Sequence, residues 1–508
     1  MKLKKYFLHP LLLLVIAAIQ LLGCNKFLDK KPLGQGISGD VSQKGEEAAV
    51  LGLYANLTGW CALTSWPYLV FHAIRSDDSK CGTPGDGDAT EAMMKFQYSK
   101  DNWLTNLEYE NYMSYVIQAS NIIADIDSLK LTDAWSLTNK GEACCLRAFA
   151  YFDLVRDYGE VPIINFKVRQ ASDGNVAKSS VSLVYAQIQK DLAVAIQYLP
   201  QQWESKYIGR VTKGTAQTLL AKSYLYQQNW TQCLTYCNAV ISSGVYSLDA
   251  SYAHLFTEAG ENGTESIFEI QNYESANGSI SYTNSLANIE GVRGTGSWNL
   301  GWGWNLPDSN LVLNAYEPND PRLNQTVLFA GQPDGVYGVT VPAYQPGNSV
   351  NNWPYWNKKV YTDPARRAAT GDFGGNWLHT IILRYADVLL MAAEAANETG
   401  DGATAAKYLE MVRNRASGNL GQSRTILPYI AYQNQAQMRT AIKKERRVEF
   451  AMEFERFYDL VRWTPATDGI DAPTAYARYG YQTKNQYYPI PQPDIDKSNG
   501  VLKQNPNY

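Results

Sequence analysis

The chain predicts a mostly α fold, a tetratricopeptide-like scaffold of helix pairs with a loop-rich, weakly β region set into it. Three observations carry this expectation. Apolar residues recur at helical spacing from about Lys44 to Leu255 and again after residue 376. Two segments, "AKSYLYQQNWTQCLTYCNAVI" from Ala221 and "AEAANETGDGATAAKYLEMVR" from Ala393, align without a gap, with Tyr236 on Tyr408 and Val240 on Val412. In both, small residues fill a first helix, a polar turn follows, and a second helix restarts on an apolar stripe, so neighbouring pairs complete each other's cores. Between these units the composition shifts to Gly, Asn, Pro, Ser and aromatics.

Taken in order, residues 1–23 form an export signal: a basic start, an apolar run too short to span comfortably as a mature helix, then Gly23 before Cys24. "LLGC" resembles a bacterial lipobox, which makes Cys24 the expected site of lipid attachment and the anchor of the body to a membrane. Residues 24–245 are expected to be an N-terminal helical scaffold. Its clearest helix is "SSVSLVYAQIQKDLAVAIQYLP", where Ser180 or Ser182 caps, Val184, Ile188, Leu192 and Ile196 make the stripe, and Pro200 ends it. Residues 246–375 are the loop-rich region, with short β-like pieces such as "ESIFEIQNY"; an insertion of this length is usually functional. Residues 376–508 complete the scaffold with further helices and a Pro- and Tyr-rich tail expected to lie extended over them. No segment after the signal is apolar enough to cross a bilayer.

Charge narrows the partners. Removing the signal takes away Lys2, Lys4 and Lys5 and no acids, so the formal charge moves from −4 to −7, which argues against nucleic acid. Besides Cys24, six cysteines remain, Cys61, Cys81, Cys144, Cys145, Cys233 and Cys237. A Cys61–Cys81 disulfide fits an exported chain, although small buried hydrophobes in helices account for most of these positions better.

The templates for catalysis fail one by one. Outside the signal only His72, His254 and His379 remain, with no H-E-x-x-H and no paired Cys-x-x-Cys, so zinc has little support. There is no G-x-S-x-G elbow. "GRVTKGTA" has the glycine spacing of a P-loop, but Thr215 follows Gly214 where the phosphate-binding lysine belongs. A glycosidase needs only two carboxylates, and "SDDSKCGTPGDGDATE", with Asp77, Asp78, Asp86 and Asp88, offers candidates, or oxygens for calcium; a solvated polar loop explains it better. "KKERRVEF" mixes both signs of charge and reads as ion pairs within or between helices.

Aromatics are the positive signal. Tyr numbers 35 and Trp 13, and "GTGSWNLGWGWNLPD" sets Trp298, Trp302 and Trp304 among recurring glycines with no helical or strand period. A flexible-looking segment with that much aromatic surface must bury it or use it. Flat Trp and Tyr rings suit the apolar C–H face of a sugar, while Asn, Asp, Gln or Arg neighbours receive its hydroxyls. Trp298 is the leading contact, Trp302 follows, and Trp304 is expected more as a packing residue. "WPYLVF" adds Trp66 and Tyr68, and "NNWPYWNKKVY" adds Trp353, Tyr355 and Trp356, each with core packing as the alternative. Trp103, Trp230 and Trp463 sit on helical stripes and are expected in the core.

Several phrases taken together resemble one family, the SusD/RagB-like outer-membrane lipoproteins of the Bacteroidota: "CNKFLDKKP", "RAFAYFDLVRDYGEVPI", "GRVTKGTAQTLLAKSYLY", "NLPDSNLVLNAYEPNDPR", "LRYADVLLMAAEAANETGD", "VRNRA", "KKERRVEFAMEFERFYDLVRW" and "YYPIPQPDIDKSNGVLKQNPNY". They cover essentially the whole chain in order. The resemblance implies a SusD-like fold and a non-catalytic protein on the cell surface, a lid over a TonB-dependent SusC-like barrel that captures a glycan for import. It implies no obligatory cofactor, with calcium in some members, and it places polar ligand contacts near Asp77 and Asp78. The residues after Cys24, "NKFLDKK", lack the acidic pair linked to surface export, so the outward orientation rests on the family. Peptide or glycoprotein cargo and a surface glycoside hydrolase are the alternatives.

Overall fold

The computed structural model describes residues 45–82, 88–371 and 374–508. The signal, Cys24 and Asp86 lie outside the described residues. The scaffold runs through α1 (Gly45–Ala55), α2 (Trp66–His72), α3 (Trp103–Ser128), α4 (Ala134–Tyr158), α5 (Val181–Tyr198), α6 (Lys213–Tyr226) and α7 (Trp230–Ser242). After the short α8 (Leu286–Glu290) it resumes as α9 (Tyr385–Glu398), α10 (Gly402–Ala416), α11 (Gln435–Glu449) and α12 (Arg456–Arg462).

Starts are set by side-chain caps. Asn102, Asp133, Ser180, Thr212, Asn229 and Asp401 each accept a hydrogen bond from a backbone N–H in the first turn of the helix that follows. The would-be P-loop is thus the start of a helix: Thr212 and Thr215 form a capping box. Gly214 is small because the Tyr246 ring lies where its Cβ would be, 2.4 Å away.

From α3 through α7 each helix packs on the next; α7 then packs on α9, and α9 on α10 and α11. The two aligned segments are the hairpins α6–α7 and α9–α10. Val240 and Val412 are both fully buried, and the Tyr408 hydroxyl donates to Asn238 Oδ1 at 3.0 Å, joining the second helices of the two units. Helix α4 is buried on every side from Gly141 to Tyr158, as a helix flanked by neighbours all round must be. Every residue of α9 from Tyr385 to Asn397 is buried as well, and its alanines let the adjacent helices approach.

The sheets are small and two-stranded, and three of the five among the described residues bear on the site: β1 (Ser79–Lys80), β2 (Ser266–Ile270), β3 (Leu306–Pro307), β4 (Val327–Phe329), β5 (Tyr355–Asn357) and β6 (Thr380–Arg384) pair antiparallel as β1–β3, β2–β6 and β4–β5. The "ESIFEI" piece is β2, set against β6 with Ile270 opposite Thr380 and Glu269 opposite Ile381. The tail packs on the scaffold, with Tyr488, Ile490 and Leu502 in the core, but it is not wholly extended: residues Gln492–Lys497 turn as a helix.

Two expectations are corrected. No disulfide joins Cys61 and Cys81, the first exposed and the second buried beside Thr90; Cys144, Cys145, Cys233 and Cys237 are buried in helices. Trp103 is not in the core. As the first residue of α3 it projects at the helix start, with 58% of its surface exposed.

Candidate functional site

Five tryptophans from three stretches of chain form one continuous ridge. Trp60 lies 5.2 Å from Trp302 between ring centres, Trp302 lies 5.3 Å from Trp304, Trp304 6.3 Å from Trp66, and Trp66 5.6 Å from Trp103. The contacts are edge-to-face or tilted, the arrangement that the ring quadrupole favours. The two ends are open, Trp60 with 43% and Trp103 with 58% of its surface exposed; Trp302 and Trp304 are half-buried, and Trp66, at 6%, is the buried keystone. Exposed aromatic surface continuous over several rings marks a binding site more often than an accident of packing.

Glycine is what lets the middle of the ridge form. Trp302, Gly303 and Trp304 donate their backbone N–H groups to the carbonyls of Asn288, Gly291 and Ile289, pressing the segment on the end of α8. A Cβ on residue 301 would meet the Asn288 carbonyl at 2.0 Å, and one on residue 303 the Trp356 ring at 2.8 Å, so only glycine allows the approach. Gly303 is also left-handed, at φ 65°. Beyond Trp304, Asn305 accepts from the Ser79 hydroxyl at 2.6 Å and donates to Glu290, and β3 pairs with β1. The loop has no secondary-structure period because it is held residue by residue.

The remaining sequence candidates fall into two groups. Trp298, Trp353 and Tyr355 belong to a second aromatic cluster built around Trp356. Trp298 stacks parallel on Tyr361 at 6.0 Å, the Trp353 indole donates to the Pro307 carbonyl at 3.0 Å with the Lys80 ammonium over its ring, and Tyr355 meets Phe329 edge-on. All three are partly accessible, but none is in ring contact with the ridge.

Four candidates are corrected to structural roles. Trp356, with 1% of its surface exposed, is core, and Tyr68 is buried against His72 and Phe454. Asp77 takes a bidentate pair from Arg456 at 2.8 and 3.0 Å, and Asp78 accepts from Arg447 Nε at 2.7 Å. Against the burial that would raise it, Arg456 and Arg447 hold the Asp77 carboxyl below its usual range. These pairs brace the turn into β1, and the Asp78 carbonyl receives the Asp308 N–H at 2.8 Å, so both acids help to position the tryptophan loop. Among the described residues no group of three or more His, Cys, Asp or Glu is arranged to hold a metal.

Sequence reasoning missed Trp60 and misplaced Trp103. The available signal for Trp103 was its position directly after the Asn102 cap, where a side chain clears its own helix. Trp60, next to Gly59 in "LTGWC", offered none.

Residues 264–508 match a family model described as the SusD family, and residues 83–225 match one described as starch-binding and associating with the outer membrane. A SusD-like protein of Formosa agariphila, P2, is 25% identical, over 97% of this chain and 98% of that protein. Among solved structures, surface glycan-binding protein A from Bacteroides thetaiotaomicron, in complex with laminarihexaose, superposes with a TM-score of 0.74 at 26% identity, covering 91% of this chain and 99% of that one. A SusD-like protein from Bacteroides fragilis shares the fold at a TM-score of 0.74 and 24% identity, over 94% of this chain and 100% of that one.

Proposed function

The chain belongs to the SusD family, and from that premise we propose that it is a non-catalytic glycan-capture lipoprotein, anchored through Cys24 to the outer membrane and facing outward, that passes oligo- or polysaccharide to a TonB-dependent SusC-like transporter. The tryptophan ridge carries the reading. Its accessible indoles offer the apolar faces of successive sugar rings a track, and the half-buried, hydrogen-bonded loop keeps that track in place before ligand arrives. The relative bound to laminarihexaose supports a glycan as the ligand. The family description supports the outer membrane. No helix among the described residues is long and apolar enough to cross a membrane, and the lipobox-like "LLGC" supports attachment through Cys24.

Each stacking contact is weak, because ordering a flexible oligosaccharide offsets part of the gain. An anchored array of such sites still holds a polymer, since every second contact is intramolecular.

The test is isothermal titration against a glycan panel. Trp302→Ala removes the ring that joins both halves of the ridge and should weaken binding by about 1 to 2 kcal/mol, about five- to thirtyfold, whereas Trp298→Ala, in the second cluster, should bind like the wild type. Glycans recovered from the cell should show no new reducing ends. Absence of binding to every glycan would overturn the reading, and so would hydrolysis abolished by a single carboxylate change.

A further inference from the structure

Resting on that reading of the ridge, we propose that a separate polar pocket beside Trp60 seats a single uncharged sugar residue, at the end of the captured chain or branching from it. The pocket, of about 330 Å³, lies between the turn after α1 and the flank of α3. Asn111, Ser114, Tyr115 and Gln118 of α3 line it at i, i+3, i+4 and i+7, one face of the helix, and Asn56 and Trp60 line the other wall. The same face of α3 starts at Trp103, two turns before Asn111. The ridge therefore leaves α3 at Trp103 and, by way of Trp66, Trp304, Trp302 and Trp60, returns to it at the pocket.

The chemistry of the walls selects the occupant. No residue lining the pocket is charged. Asn111 Nδ2 donates to the Cys61 carbonyl at 2.8 Å, Asn56 Nδ2 donates to Gln118 Oε1 at 2.7 Å, and Gln118 Nε2 donates to Ser114 Oγ at 3.3 Å. Those bonds fix the amides and leave Oδ1 of Asn56 and of Asn111 as acceptors, with the Ser114 hydroxyl and a second hydrogen on each amide nitrogen as donors. An alternation of donors and acceptors on fixed amides matches neighbouring sugar hydroxyls, each of which donates once and accepts. A uronate or sulfate would enter with no cation to meet it, and burying such a charge unpaired is costly. A volume at the low end for ligand sites admits one ring, not a chain.

The test begins with laminarihexaose, maltohexaose, cellohexaose and xylohexaose, and with polygalacturonate as the charged probe. The tightest binder is then titrated into Asn111→Ala, which deletes two wall groups, and Ser114→Tyr, which fills the pocket from an exposed helical position; circular dichroism confirms that both fold. Asn111→Ala should weaken binding about three- to tenfold, and Ser114→Tyr at least as much, with Trp302→Ala weakening it independently. Wild-type affinity in both pocket variants, with the loss in Trp302→Ala intact, would overturn the pocket and leave the ridge standing. Preference for polygalacturonate would also overturn it. Silence of the wild type across the whole panel would overturn the pocket and the ridge together.

Discussion

Glu290 shows how much one residue behind the ridge controls. It is fully buried at the end of α8, and its Oε2 accepts from the amides of Asn305 and Asn357, one following Trp304 and the other following Trp356. It therefore joins the ridge to the second aromatic cluster, with no cation beside it among the described residues. Burial pushes its carboxyl up to about 8, although the two amide bonds act the other way. The unfolded carboxyl ionises near 4.5, so between that value and 8 the native state retains a proton that the unfolded chain has released. Stability consequently falls as pH rises through that window and levels off above it. Glu290→Gln keeps an oxygen for both asparagines and removes the titration. The variant should match the wild type near pH 4.5 and exceed it at pH 8 by an amount on the order of 4 kcal/mol, read as a higher melting temperature. An unchanged pH profile would show that the carboxyl is already ionised in the fold.

At the scale of the element, the loop over residues 294–308 explains why its sequence looked patternless. A helix or a strand repeats one contact rule, and the rule shows as a period; this segment makes a different contact at each position. The glycine at 301 gives way to a carbonyl, the glycine at 303 to an indole, and the asparagine at 305 reaches two elements at once. The sequence gives the residue types, aromatic and glycine, and so places a functional loop here. It does not say which ring meets which, and for that reason Trp298 ranked above Trp304 while the geometry places Trp304 in the ridge. Gly301→Ala puts a methyl 2.0 Å from the Asn288 carbonyl and 2.8 Å from the Gly291 backbone, so the loop must lift from α8. The expected cost is about 1 to 3 kcal/mol, confined to this element. Helical circular dichroism should stay the same while glycan binding is lost and tryptophan fluorescence moves toward the red. Wild-type affinity would mean that the ridge forms without this contact.

Across the whole molecule, periodicity made the helix pairs legible, because each stripe needs only its neighbour. What secures the loop-rich region to that scaffold was only half legible: "KKERRVEF" announced ion pairs, but their partners lie far along the chain. Glu449, fully buried at the end of α11, accepts from Arg384 of β6 at 2.6 Å, from Arg322 at 3.0 Å, and from Arg415 of α10. Arg384 and Arg415 share Glu265 as well, at 2.9 and 2.7 Å, just before β2. One carboxylate thus joins the second helix pair, the β2–β6 sheet and the segment after the tryptophan loop. Burial would raise its pKa, but Arg415, Arg384 and Arg322 together hold it far below the usual carboxylate range. A carboxyl depressed in this way stabilises the fold above about pH 4.5, and the contribution is lost as the pH falls below that. Glu449→Gln keeps the shape and removes the charge, leaving three buried guanidinium groups short of a counter-ion. The expected loss is about 3 to 5 kcal/mol at neutral pH, shrinking toward zero as the wild type is acidified. Because the arginines that Glu449 binds lie outside the tryptophan ridge, glycan affinity below the melting transition should be nearly unchanged. Equal melting temperatures at pH 7 would show that Glu265, Glu445 beside Arg322 and Glu453 beside Arg384 suffice to balance the arginines. Lost affinity in a fully folded variant would instead couple this network to the tryptophan loop.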